Sequence, residues 1–169
     1  MRVGILTVSD RASLGEYQDD SNPIVKRFVE ERLRWEVAAS AVVPDERDEI
    51  TRSLLYWVDE LRLDLVFTTG GTGFAPRDIT PEATRAVIER EAPGLGEAMR
   101  AASLRVTPHA MLSRAVCGIR SNTLIVNLPG SPKAVHENLE VLLPVLPHAL
   151  DLLTGAPGSD AGHQAVKRV

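Results

Sequence analysis

The chain has a single cysteine, Cys117, among 169 residues. That rules out an intrachain disulfide and a cysteine-rich zinc site, and the residue reads best as a small buried apolar side chain. Basic excess is also missing. A net charge of −4 leaves no surplus to neutralise a run of phosphates, so broad nucleic-acid binding is not expected. A small phosphorylated ligand needs only a few local donors and stays open. None of His109, His136, His148 and His163 has metal-ligand spacing, which argues against a transition-metal site. No stretch approaches the ~20 apolar residues of a spanning helix, so no membrane partner is expected. The opening run from Met1 to Ser9 is too short for a secretory leader and passes straight into Asp10-Arg11 without a small-residue cleavage pattern. Repeats are absent too. A soluble, cytoplasmic protein is the expectation.

What is present is ordinary globular material, 44% hydrophobic and 25% charged, in a chain long enough for one domain with a sizeable core. Val3 to Ser9 reads as a first, central strand, and Ala12 to Ser21 as a loop. Asn22-Pro23 starts a helix with Ile24, Val25, Phe28 and Val29 at helical spacing. Trp35 to Val43 alternates, with Val37, Ala39, Ala41 and Val43 on one face of a second strand. Ile50, Leu54, Trp57 or Val58, and Leu61 mark the clearest amphipathic helix. Leu63 to Phe67 is a third, buried strand. Alternation of this kind predicts an α/β fold, a three-layer sandwich with a mostly parallel central sheet and helices on both faces.

The second half is less regular. A helix is expected from Pro81 to Glu91, and a short one through Leu95, Ala98, Met99 and Ala102. The segment 112–119 is either an edge strand or irregular. Thr123 to Leu128 is a buried strand, and Ser131 caps a helix with Val135, Leu139, Leu142 and Leu143 inward. One domain over 1–154 is expected, with 155–169 a disordered tail on composition.

The stretch Thr68-Thr-Gly-Gly-Thr-Gly-Phe-Ala-Pro-Arg-Asp-Ile-Thr-Pro-Glu82 lies between a strand and a helix that Thr80 can cap. Glycines at 70, 71 and 73 allow the backbone to turn its amides on an anion, with Thr72 adding a hydroxyl and Arg77 a cation. No Gly-Lys-Ser/Thr follows, so this is not a P-loop, and the spacing does not fit the dinucleotide fingerprint. A tight structural turn without a ligand is the alternative. Asn127-Leu-Pro-Gly-Ser131-Pro has the same logic at a capped helix start, with Gly130 and Ser131 at the turn.

Ligands in such folds sit beyond the carboxyl ends of the strands. Ser9, Asp10, Asp45 and the segment to Asp78 all fall there. Asp45 and Asp78 stand 33 positions apart, yet the topology can bring them together as a hard-oxygen seat for Mg²⁺. Pro44-Asp45 can also be a plain turn, and Asp78 can merely brace its loop. Ser9, Asp10, Ser103, Ser113 and Arg114 are weaker candidates.

Taken together, Thr-Val-Ser-Asp-Arg, Val-Pro-Asp-Glu, the glycine-rich stretch and Asn-Leu-Pro-Gly-Ser-Pro resemble the MogA/MoaB family of molybdenum-cofactor proteins, which includes the G domain of gephyrin. The resemblance runs from about Val3 to Leu153. It implies molybdopterin adenylyltransferase activity: molybdopterin and Mg-ATP give adenylylated molybdopterin and pyrophosphate. It implies a homo-oligomer, usually a trimer although hexamers occur, and a molybdenum-insertion enzyme as partner. By motif, Asp45 and Asp78 match the two acids associated with magnesium and catalysis, and Thr72 the threonine near the substrate phosphate. Ser103 matches a serine linked to pterin binding, and Asn127 the asparagine at the nucleotide side of the pocket. Ser9, Asp10, Gly70, Gly71, Gly73, Gly130 and Ser131 complete the expected substrate-binding set. Asn22 stands where glycine is common in Asp-x-Ser-Gly-Pro, a change that asparagine's tolerance of glycine-like conformations should make harmless. A family member that binds pterin or nucleotide without turnover, or serves as a scaffold, is the alternative; it would not need both aspartates.

Overall fold

The computed structural model describes residues 1–16 and 19–156. Six strands form one sheet in the order β2-β1-β3-β6-β5-β4. They are β1 (Arg2–Val8), β2 (Glu36–Val43), β3 (Leu65–Thr69), β4 (Arg90–Glu91), β5 (Cys117–Arg120) and β6 (Thr123–Leu128). The pairs β1–β2, β1–β3 and β3–β6 are parallel; β5 runs antiparallel to both β6 and β4. The expected sandwich is therefore present, with an antiparallel margin.

Period-two alternation sorts the strands' side chains between two cores. Val3, Ile5, Leu65, Phe67, Leu124 and Val126 enter one. There they meet α2 (Ser21–Arg27, continuing as a π-helical turn over Phe28–Leu33), α5 (Pro93–Leu104), α6 (Pro132–Leu142) and α7 (Leu146–Thr154). Leu6, Val8, Val66 and Ile125 enter the other, against α3 (Arg47–Leu55) and α4 (Thr80–Val87). A short helix, α1 (Asp10–Ser13), follows β1 directly. Residues buried on both sides are why these strands read as continuous apolar runs.

Several details differ from expectation, each for a local reason. A register shift opposite Val3/Gly4 leaves Ala38 as a bulge, so Val37 joins the first core while Ala39 and Ala41 pack on the second. The end of α3 widens into a π-helical turn over Tyr56–Glu60, which buries both Trp57 and Val58. Trp57 in turn requires Gly4, where a Cβ would come within 2.7 Å of the indole. Helix α4 stops at Val87, not Glu91: Ile88 is extended, and the Glu89 N–H donates to Ile119 O as the chain enters β4. Asn22 is helical and has no positive φ; its amide instead donates to Ser40 Oγ at 3.1 Å. Asp20 holds the cap position of α2 without a side-chain bond, and the first backbone N–H groups of the helix, at Ser21 and Asn22, donate to the Asp19 carboxylate one residue earlier.

Helix α7 ends on left-handed Gly155. The rest of the expected tail, from residue 157, lies outside the described residues. Among the described residues no helix is long and apolar enough to cross a membrane.

Candidate active site

The carboxyl ends of β1, β2, β3 and β6 converge, and the strand order reverses between β1 and β3, the position where open α/β sheets leave a crevice. The glycine-rich loop leaves β3 there. Gly70 and Gly71 have φ of +89° and +62°, a region that costs other residues about 1–2 kcal/mol. Space is equally restrictive. A Cβ on Gly70 would lie 2.4 Å from Val8 O, and one on Gly71 would lie 2.4 Å from Thr80 Oγ1 and 3.0 Å from Asp45 Oδ1. Gly73 packs against the other acid, its Cβ position 2.9 Å from Asp78 Oδ2. The loop thus passes between the two aspartates that the sequence singled out.

Thr80 serves this loop and does not cap α4. Its hydroxyl donates to Gly70 O at 2.9 Å and its amide to Gly71 O, while Ile79 holds the cap position without a side-chain bond. Ser131 does occupy the cap of α6, also without a side-chain bond. Gly130 is held through its carbonyl, which accepts from Ser21 Oγ.

One side of the loop is acidic. Asp45 Oδ2 accepts from the Asp10 amide at 2.8 Å, and Asp10 Oδ1 accepts from the Asp45 amide at 3.0 Å. This reciprocal pair ties β1 to β2. Arg77 grips Asp10 with two nitrogens, at 2.9 and 3.0 Å, and also pairs with Glu46. That guanidinium holds the Asp10 carboxyl below the usual aspartate range. Asp45 moves the other way. Burial raises its pKa, the charges of Asp10 and Asp78 add to the rise, and the Asp10 amide and Arg77 only partly oppose it. Asp78 Oδ2 accepts from the Ala75 amide at 2.8 Å, closing a turn. Ser9 caps α1 through its hydroxyl.

The other side is a cavity of about 480 Å³, a size suited to a small-molecule ligand. Thr72, Gly73, Ser103, Asn127 and Ser131 all line it. Ser103 donates to Asn138 Oδ1, and Arg100 brings a cation to the wall. Asn127 is fully buried, and its side chain is engaged within the protein. Its amide donates to Thr68 and Thr84 at 2.9 Å each, and its oxygen accepts from the Val116 N–H. It braces the floor of the cavity.

Arg114, a weak candidate in the sequence, holds more of the site than its pattern suggests. Its amide donates to Thr72 O, its Nε to Gly73 O at 2.7 Å, and its remaining nitrogens to Asp78 O and the Glu82 carboxylate. It comes from the irregular segment before β5, where no periodicity marks a role.

A divalent cation suits the acidic side chemically. Asp45 and Asp78 offer hard oxygens, and the Asp45 carboxylate, disfavoured first by burial and then by the charges of Asp10 and Asp78, would be relieved by a cation. Among the described residues no three His, Cys, Asp or Glu side chains cluster to hold a metal, so such an ion would draw on substrate oxygens and water. A cysteine nucleophile is absent here: burial pushes the Cys117 thiol up to about 12.

Comparison with known proteins finds relatives along most of the chain. Residues 4–148 match the family model described as a probable molybdopterin binding domain. The chain is 47% identical over 156 residues to the molybdopterin adenylyltransferase of Helicobacter pylori J99, covering 92% of this chain and 89% of that protein. It is 45% identical to gephyrin of Dictyostelium discoideum over 93% of its own length, but spans only 23% of that protein. The crystal structure of the molybdopterin biosynthesis enzyme MoaB from Thermus thermophilus superimposes with a TM-score of 0.87 at 56% identity, covering 92% of this chain and 98% of that one.

Proposed function

The chain belongs to the family of probable molybdopterin binding domains, and from that membership we propose that it is a molybdopterin adenylyltransferase. It transfers AMP from ATP to the terminal phosphate of molybdopterin and releases pyrophosphate. The similarity to adenylyltransferases along most of both chains supports the activity. The observation that carries the mechanism is the division of the site, with one loop separating a ligand-sized cavity from a carboxylate cluster.

In this reading the pterin occupies the cavity beside Ser103, and its phosphate reaches the loop at Thr72 and Gly73. A phosphate monoester is mostly dianionic at neutral pH, with a second pKa of about 6, so no protein base has to activate it. Its oxygen bonds to the α-phosphorus of ATP as the bond from that phosphorus to the β-bridging oxygen breaks, and pyrophosphate carries away the electron pair. The protein's task is to hold two polyanions in line and stabilise the charge that moves. Asp45 and Asp78 would hold Mg²⁺, and the charge neutralisation such an ion supplies would serve the triphosphate and the departing pyrophosphate. Arg77, paired with Asp10 and Glu46, adds a positive charge at the same edge.

We further propose a homotrimer that works in the cytoplasm, where ATP is available, and passes its product to a molybdenum-insertion enzyme. Exposed apolar side chains at Leu104, Val106 and Met111 support association with a further protein surface. The test of function is direct. Purified protein with molybdopterin, ATP and Mg²⁺ is expected to give adenylylated molybdopterin and pyrophosphate in equal amounts. If neither product forms while molybdopterin binds, the protein is a binding module and the enzymatic reading fails.

A further inference from the structure

We propose that Arg114 is a positioning residue that keeps Asp78 in register with the cavity side of the glycine-rich loop. The inference rests on the adenylyltransferase reading for its kinetic consequence, but its geometry stands apart from it. Residues 74–77 are exposed, and Phe74 reaches 66% exposure, so packing does little to hold this turn. Its internal bonds join Ala75 to Asp78 in both directions. They close the turn on itself without fixing it to the body of the protein. Arg77 ties it to Asp10 and Glu46 only through exposed ion pairs, which solvent weakens.

Arg114 supplies the missing anchor. One guanidinium bonds the carbonyl before the turn, Gly73 O, and the carbonyl at its end, Asp78 O. Its backbone amide adds Thr72 O, a residue of the cavity wall. Glu82, on the first turn of α4, accepts from the remaining nitrogen and aims the plane. Three acceptors in three directions require the planar fork of arginine, and an ammonium group cannot span them. Rotation or loss of this group would let Asp78 shift relative to Thr72 while both remain present. A misplacement of about 1 Å at a reacting centre can cost about 100-fold in rate.

The test compares wild type, Arg114→Ala and Arg114→Lys. In Arg114→Ala we expect kcat to fall about 100-fold, with KM for molybdopterin and ATP within about threefold and partial recovery on adding guanidinium ion. Arg114→Lys should remain closer to alanine than to wild type despite its charge. A readout independent of turnover is tryptic cleavage after Arg77, expected to quicken about tenfold in Arg114→Ala as the turn opens. A kcat within twofold of wild type, or an unchanged cleavage rate at Arg77, would overturn the proposal. If the alanine variant does not fold, Glu82→Gln, which weakens the grip on the guanidinium, must show the same two changes in smaller degree, and their absence is equally fatal. An inactive wild type would instead sink the functional reading, and the cleavage rate would still decide the role of Arg114.

Discussion

The two sides of the glycine-rich loop are held by different physics. On the acidic side Asp10, Asp45, Arg77 and Glu46 are joined by charges, several of them half in solvent. On the cavity side Asn127, Thr68, Thr84 and the Val116 amide are joined by neutral hydrogen bonds in a fully buried setting. Charged groups at a surface trade partners at little cost, so the acidic side can exchange Arg77 for a substrate or ion. Buried neutral groups cannot, because each lost bond strands a desolvated partner. One side is arranged to rearrange, the other to stay.

The sharpest way to separate them is Asp78→Asn. It removes a charge from the acidic side and leaves the cavity wall intact, so adenylylation should fall at least about 100-fold while molybdopterin binding, measured by titration, stays near wild type. Equal loss of binding and turnover would mean that the two sides are one site. Asn127→Ala should do the reverse. It strands the Val116 amide and leaves a cavity, costing about 3 kcal/mol of stability, readable in a denaturant titration at constant slope. A small loss there would mean that the neutral side is also adaptable.

The next contrast is in pH. Asp45 has a raised pKa in the fold, so its contribution to stability is full below the ordinary value of 3.8 and is lost as pH rises through the raised value. Asparagine never ionises. Asp45→Asn should therefore melt above wild type at pH 7 and level with it below pH 3.8, while losing activity, a trade seen where function demands strain. A variant less stable than wild type at pH 7 would show that the carboxylate is satisfied in the fold. Asp10, with its lowered pKa, acts oppositely: its contribution is present above the ordinary value and disappears as pH falls. The smallest effect belongs to Arg77→Gln, whose exposed ion pairs should leave the melting temperature almost unchanged.

Much of this was legible from local pattern. The apolar runs at β1, β3 and β6 and the helical spacing of Ile50 and Leu54 reflect how strands and helices bury one face, so they survive in the sequence as periodicity. The glycines at 70 and 71 and the acids at 45 and 78 were readable because turns at strand ends demand particular residue types. Asp10 and Asp45 could each be placed just beyond a strand end, but not as a reciprocal pair with Arg77, since that depends on β1 lying beside β2. Arg114 and Asn127 show the limit most clearly. One sits in a segment without periodicity, and the other was expected to meet substrate and not to brace a wall, yet β6 beside β3, with β5 reversed along it, brings the first to the loop and the second beneath the cavity. Periodicity and turn chemistry are local, so composition and order encode the elements and the loop. Hydrogen-bond partners tens of residues apart are chosen by the packing of the sheet, and that packing is what makes the loop a divided site.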